Sequence, residues 1–156
     1  MALRPAVAAD ADRIAQILID VRLVFMPYAP LTHSSGDIRS WVGEFLIPSD
    51  GAVVAEYDGA VIGVLATKRE DVCSWITQMA VDPLHVGTGI GSVLLQHALR
   101  VLPWPIRLFT FQANVGARRF YERHGFRIVR LSDGGANEER CPDVLYEFSG
   151  FIQADG

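Results

Sequence analysis

The chain has 156 residues, enough for one hydrophobic core, since two domains of half that size would each bury too little surface. Half of its residues are hydrophobic and 21% are charged, a balance that argues against a disordered or coiled-coil chain. Its net charge of −4 argues against a nucleic-acid partner, which calls for a basic field to displace counterions from phosphate, and favours a neutral or cationic one. Cys73 and Cys141 stand far apart without metal or redox spacing, so they read as free thiols of a reducing compartment, and the cytoplasm is the expected location. Met1 to Asp12 lacks a basic head followed by an apolar run, and Ala52 to Ala66 is interrupted by Glu56, Asp58 and Gly59, so neither a leader nor a membrane span is expected. His85, His97 and His124 lack the paired spacing of metal ligands, and no metal is expected.

In chain order, Leu3 to Val7 is short and apolar, and Ile14, Ile17, Leu18 and Val21 then recur on one stripe of a helix whose start Asp10 or Asp12 favours. Pro27, Pro30 and Gly36 mark a loop over Met26 to Gly36. A second helix through Ile38, Trp41, Val42 and Phe45 ends before Pro48. Ala52 to Tyr57 and Ala60 to Thr67 are strands of a hairpin turned by Asp58-Gly59, a pair that tolerates positive φ. The strand Ser74 to Val81 runs through Asp82-Pro83 into a glycine-rich loop. The helix after it buries Ile90, Leu94, Leu95, Ala98, Leu99 and Leu102 until Pro103 stops it. Ile106 to Phe111 is a strand, and Asn114 caps a helix that carries Ala117, Phe120 and Tyr121 on one face and finishes at Gly125. Phe126 to Leu131 and Val144 to Phe148 close the order as strands. With no repeat or linker, one α/β or α+β layered domain over 1–156 is expected.

Gly87-Thr88-Gly89-Ile90-Gly91-Ser92 lies between a strand and a helix, where unpaired amides and the helix dipole favour an anion. The dinucleotide fingerprint fails because its third glycine falls on Ser92 and no acidic residue stands near position 112. The triphosphate loop fails because no Gly-Lys-Ser/Thr follows. Between Asp82 and Glu122 there is no carboxylate, while Arg100, Arg107, Arg118 and Arg119 lie within, so a local cationic field for an anionic cofactor is expected.

Val81-Asp82-Pro83, then Gly87-x-Gly89-Ile90-Gly91-Ser92, then Asn114-x-x-Ala117-x-x-Phe120-Tyr121-Glu122-Arg123-x-Gly125-Phe126 together resemble the GNAT superfamily of N-acetyltransferases, over Thr77 to Leu131. The resemblance implies a single mixed, mostly antiparallel sheet flanked by about four helices, in which the strand before the glycine loop and Ile106 to Phe111 run parallel and splay apart. It implies acetyl-CoA as cosubstrate, its pantetheine along Met79, Ala80 and Val81, its pyrophosphate on Val86, Gly87, Thr88, Gly89, Ile90, Gly91 and Ser92, and Asn114, Ala117 and Tyr121 beside it. Val86 departs from the pattern, which usually has Arg or Gln there. Homodimers are common in the superfamily, so a second copy of the chain is one assembly it allows.

A narrower likeness to a branch of that superfamily runs through Pro30-Leu31-Thr32-His33, Trp75 to Gln78, Phe109 to Asn114 and Asn137 to Asp143, whose clustering implies an acceptor pocket formed by His33, Thr77, Gln78, Asn137, Glu138, Glu139 and Asp143. The reaction expected is attack by the primary amine of a small or amino-acid-like molecule, with two proton transfers. Tyr121 matches the superfamily's tyrosine, and a phenol stays protonated at neutral pH, so it is the expected general acid. A backbone N–H at Met79 or Ala80 is expected to hold the oxyanion. Glu138, Glu139, Asp143 and His33, or a water held by Gln78 or Thr77, are candidates for the base, with Glu138 and His33 taken as the catalytic pair. The Asp133 to Asp143 loop is longer than a hairpin needs, a mark of function. Trp41, Trp75 and Phe45 are expected in the core rather than in the catalytic set. Two other readings stand beside this one, a CoA-binding module without catalysis and a peptide N-acetyltransferase.

Overall fold

Val61 to Ala66 are six consecutive buried residues, the pattern of a strand covered on both faces, and the sheet is built around them. The computed structural model describes residues 1–49 and 51–150, so position 50 and positions 151–156 of the expected domain lie outside the described residues. Seven strands, β1 (Ala2–Pro5), β2 (Val53–Tyr57), β3 (Ala60–Arg69), β4 (Ser74–Val81), β5 (Ile106–Phe111), β6 (Arg127–Ser132) and β7 (Asp143–Phe148), form one sheet in the order β1-β2-β3-β4-β5-β7-β6. Every neighbour is antiparallel except β4 and β5. The fold is therefore mixed α/β with one parallel strand pair and four helices, α1 (Ala11–Phe25), α2 (Ser35–Trp41), α3 (Ile90–Val101) and α4 (Val115–Arg123). No helix among the described residues is long and apolar enough to cross a membrane.

Two cores lie on opposite faces of the sheet. On one face α3 sets Leu94, Leu95 and Ala98 against Ile62, Ile106 and Tyr146, and Tyr121 of α4 joins them. On the other, Ile14 and Ile17 of α1 meet Val42 and Leu46, which continue α2 as a π-helical turn, over Val54 and Val64. Each fully buried aliphatic side chain contributes about 1.5–3 kcal/mol, so the sheet is held mainly from these two sides.

The parallel pairing is short. Only Ser74 with Ile106 and Trp75 with Arg107 are in register, after which β4 and β5 separate. The cause lies on the other side of β4, where its register against β3 steps from Gln78↔Ala66 to Ile76↔Thr67, so Thr77 is an extra residue on β4. Such a bulge bends its strand and steepens the twist. The Thr77 hydroxyl fills the gap by donating to the Ala66 carbonyl at 3.1 Å. The bulge also resets the alternation, so that Ile76, Met79 and Val81 all pack toward the α3 side, while Ala80 belongs to the α1 side.

Asp58 and Gly59 take φ of 53° and 78° in the expected hairpin turn. Asp10 and Asp12 stand at the start of α1 as expected, and the Asp10 carboxylate also accepts from Arg4 Nη1 at 2.8 Å, Arg4 Nη2 at 3.0 Å and the Val7 amide at 2.8 Å, tying β1 to the turn that follows. At the other end of the site Asp82 accepts Arg13 Nη2 at 2.7 Å and the Leu84 amide at 3.2 Å, and Arg13 Nε donates to the Val61 carbonyl at 2.9 Å. Burial pushes the Asp82 carboxyl up, but the Leu84 amide and the Arg13 guanidinium outweigh it, and its pKa falls below the ordinary range. A depressed folded-state pKa gives stability that is present above the unfolded value, about pH 4, and is lost as pH falls through the folded one. Asp82→Asn is expected to cost about 1–2 kcal/mol in urea unfolding at neutral pH, with the gap to wild type closing as the pH is taken below about 4.

Candidate active site

The divergence of β4 and β5 opens a crevice of about 950 Å³. Its floor is defined by the sheet ladder: the Asp82 amide donates to the Ile62 carbonyl, and hydrogen-bonded pairs alternate along antiparallel strands, so Ala80 is bonded to Val64 while Met79 and Val81 turn their N–H and C=O groups away from β3. Those groups face the crevice, with β5 too far away to pair them. The Ala80 amide is thus occupied by the sheet, and Met79 has the freer amide of the two expected to hold an oxyanion.

At the crevice mouth the chain leaves Pro83–His85, a single 3-10 turn, and enters α3 through Gly87 and Gly89, whose φ values are 84° and 88°. A side chain at either position would be strained by that φ, and the space where a Cβ would sit is empty. Among the described residues the amides of Gly87 and of Gly89 to Ser92 donate no hydrogen bond, the Thr88 amide closing the turn over Val86 and Gly87 and the first ladder bond of α3 running from the Val93 amide to the Gly89 carbonyl. Five unpaired N–H groups gathered at a helix N-terminus form an anion cradle. Gly91 differs from Gly87 and Gly89, since a Cβ there would make ordinary contact with the Phe120 ring at 3.5 Å.

The far wall is α4. Asn114 accepts the Ala117 amide at 3.3 Å and starts the helix. Arg118 Nε donates to the Tyr146 hydroxyl at 3.2 Å, which donates to Glu122 at 2.6 Å, fastening α4 to β7. This places Tyr121 at the inner end of the crevice, 8% exposed and walled by Phe120, Phe126 and Tyr146. Its hydroxyl has no hydrogen-bond partner among the described residues, and burial pushes its pKa well above the ordinary tyrosine value. Such a phenol stays protonated throughout the neutral range and has a proton to donate.

On the α1 side of β4 a second cavity of about 450 Å³ meets the crevice. His33 and Glu138 lie in it with Nε2 and Oε2 3.0 Å apart, and Thr32 donates to the same oxygen at 3.1 Å. These contacts, the His33 ring first, hold the Glu138 carboxyl below its ordinary pKa. Glu139 sits deeper, its Oε1 3.4 Å from both Nη atoms of Arg22. Among the described residues no group of three or more His, Cys, Asp and Glu is gathered as for a metal.

Against known proteins, residues 18–126 match the model of the acetyltransferase (GNAT) family. The chain belongs to the GNAT family. The GNAT fold recurs in solved structures: an acetyltransferase of the family from Bacillus cereus shares 20% identity, with a TM-score of 0.74 over 97% of this chain and 98% of that one. The PaiA N-acetyltransferase of Thermoplasma acidophilum, solved with coenzyme A, shares 18% with a TM-score of 0.73 over 96% and 98%. Naa20 of Chaetomium thermophilum, solved with a bisubstrate analogue, shares 19% with a TM-score of 0.68 over 100% and 94%. No curated protein matches the sequence.

In this GNAT chain the residues expected around the cofactor divide by side chain and backbone. Met79, Ala80, Val81, Val86, Gly87, Gly89, Gly91, Ser92, Asn114, Ala117 and Tyr121 line the crevice. Ile90 is turned into the core and can offer only its amide, while the Thr88 hydroxyl donates back to the His85 carbonyl and its amide closes the turn before it. Of the expected acceptor residues, Thr77, Asn137 and Asp143 line the crevice, His33 and Glu138 line the second cavity, and Gln78 and Glu139 line both. Asn137 is committed to its own loop: Nδ2 donates to the Cys141 carbonyl at 2.7 Å and to Asp143 at 3.2 Å, and Oδ1 accepts the Cys141 amide at 3.1 Å.

The cationic stretch is corrected. Arg107 pairs with Glu147 at 3.1 Å, Arg118 serves Tyr146, and neither they nor Arg100 and Arg119 line the crevice; Arg22, Arg123 and Arg130 do. Trp41 and Phe45, expected in the core, are 38% and 62% exposed, and Trp41 lines the second cavity. Arg22 went unnoticed in the sequence because a cation near the C-terminal end of an amphipathic helix reads as a solvated or dipole-facing charge. Asn114→Ala removes the cap of the helix that carries Tyr121, and urea unfolding should show a loss of about 1 kcal/mol.

Proposed function

We propose that the protein is an acetyl-CoA-dependent N-acetyltransferase that passes the acetyl group directly to the primary amine of a small or amino-acid-like acceptor, with Tyr121 as general acid. The observation that carries this reading is the alignment, within one crevice, of the unpaired amides of Gly87 and Gly89 to Ser92, the unpaired edge of β4 and the partnerless phenol of Tyr121. The fit to the cofactor is good at each point. A diphosphate suits the amide cradle, the open space over Gly87 and Gly89 admits it closely, and an extended chain of amides suits Met79 and Val81 as an added strand would.

Acetyl-CoA supplies an activated acyl group whose leaving group is a thiolate. The residues of the chain do the rest. The Met79 amide can stabilise the carbonyl oxygen as it gains charge. The new C–N bond forms from the amine's lone pair as the C–S bond breaks, and the Tyr121 phenol gives its proton to the sulfur. The proton from the nitrogen leaves on the side of the second cavity. There Asp37, Glu138 and Glu139 outnumber Arg22, which suits an ammonium group as it approaches.

Release of free thiol from acetyl-CoA over a panel of small amines, together with calorimetry of CoA binding, tests the reading. Tyr121→Phe should lower kcat on the order of 10²-fold while CoA affinity holds within about threefold, since the phenol acts on the departing sulfur and not on the bound cofactor. Unchanged turnover would remove Tyr121 from the mechanism, and absence of CoA binding in the wild type would remove the mechanism itself.

A further inference from the structure

The crevice and the second cavity meet along a narrow strip. One side of the strip is Gln78, Met79 and Ala80 of β4; the other is Val21, Arg22 and Met26 at the end of α1, and Glu139 closes it. If acetyl-CoA occupies the crevice and the acceptor enters through the second cavity, the attacking nitrogen has to stand at this strip, because only here can it reach a thioester lying along Met79. Of the side chains on the strip, Glu139 alone can accept a proton: Arg22 stays protonated at any working pH, Gln78 is a neutral amide, and the others are apolar. His33, Glu138 and Asp37 line the second cavity but not the crevice.

We propose that Glu139 is the base that takes the proton from the attacking amine and that Arg22 is the residue that positions it. The proposal rests on the acetyltransferase reading above. The side chain of Glu139 is 19% exposed. Arg22 reaches its Oε1 with both Nη atoms at 3.4 Å, and among the described residues Oε2 has no hydrogen-bond partner. Arg22 is itself fixed, its Nη2 donating to the Pro30 carbonyl at 3.1 Å and its guanidinium lying 5.4 Å from the centre of the Phe111 ring. Beneath Glu139 the loop is fastened by the Asn137 amide across Cys141. One carboxylate oxygen is therefore anchored and the other is free.

That division suits the chemistry. An alkylammonium holds its proton more tightly than a carboxylate does, so the nitrogen that attacks is the neutral amine, its first proton already given up to water. Once the nitrogen bonds to the acyl carbon its remaining protons become far more acidic, and a fixed acceptor within reach then suffices. The N–H bond breaks toward Oε2, its electron pair stays on nitrogen as the amide forms, and the sulfur leaves with the proton of Tyr121. Glu139 then returns its proton to water through the second cavity, and the Tyr121 phenolate regains one from water in the crevice.

The experiment compares wild type, E139Q, E139A, E138A and R22Q for CoA affinity by calorimetry, for steady-state thiol release on the best amine of the panel, and for rescue by added formate. Expected is a loss in kcat of about 10²- to 10³-fold for E139Q, the range of a missing general base. CoA affinity should hold within about threefold, since no phosphate or pantetheine contact is touched. Formate should raise the rate of E139A by about tenfold or more, because a small carboxylate can fill the vacated place of the base. E138A should show its loss in the acceptor KM and gain nothing from formate, and R22Q should lose kcat by about tenfold with a smaller change in KM. The proposal is overturned if E139Q keeps wild-type kcat, or if formate rescues E138A and not E139A. Should E139Q lose CoA binding as well, the rescue of E139A and the R22Q split decide, and their absence counts against it. A wild type that binds CoA and acetylates no amine brings down the enzymatic reading and this inference together, whereas an active wild type with an equally active E139Q brings down this inference alone.

Discussion

The extra residue at Thr77 sets the geometry of the site. Two parallel strands normally keep pairing as long as both continue, and β4 runs on to Val81 and β5 to Phe111. They part after two register pairs because the bulge bends β4 away and turns its Met79 and Val81 groups toward empty space. Leaving backbone donors and acceptors unpaired costs free energy unless something else meets them, which makes the freed edge a standing binding site for an extended amide chain. The Thr77 hydroxyl on the Ala66 carbonyl keeps the far side of the bulge satisfied, so the unpaired groups are confined to the side that faces the crevice.

A sheet opened in this way needs to be held from elsewhere, and the core under α3 does so. Leu65 and Ile76 on one half of the sheet and Ile106, Leu108 and Tyr146 on the other share one cluster with Leu94, Leu95 and Ala98. The helix whose N-terminus offers the amide cradle is therefore the same helix that bridges the two halves. The anion site and the splay are positioned by a single packing unit, and the cradle cannot shift relative to the β4 edge without disturbing fully buried side chains. The Tyr146, Glu122 and Arg118 chain does the same for α4 on the other wall.

Much of this was legible in the sequence because local chemistry decides it. The Asp58-Gly59 turn, the Asn114 cap, the stripe from Ile90 to Leu99 and the exact bounds of Ser74 to Val81 and Ile106 to Phe111 follow from propensities acting over a few residues. The bulge was not legible, since Thr77 in a run of strand formers looks like any other position and its displacement depends on the partner strand. The arginines from 100 to 119 misled for a related reason: charge counted along the chain does not say which face a helix or strand presents, and Arg107 and Arg118 turned out to hold the scaffold. Asp10, read as a helix-start residue, stands at that start, but its pairing with Arg4 across the turn was not legible.

The two sides of the site are made from different materials. The side we assign to the cofactor is mostly backbone, with amides, an exposed strand edge and glycines whose φ makes room, and such a surface leaves a spacing pattern in the sequence. The side we assign to the acceptor is made of side chains brought together from α1, the loop after it and the β6–β7 loop, with Arg22 meeting Glu139 and His33 meeting Glu138 across more than a hundred residues. Loops fastened as this one is, by Gln112 to the Ser132 and Asp143 carbonyls and by Asn137 within, can change their exposed residues without disturbing the sheet. Acceptor choice can thus vary while the cofactor machinery stays constant, so the family pattern identifies the cofactor far more firmly than it identifies the amine.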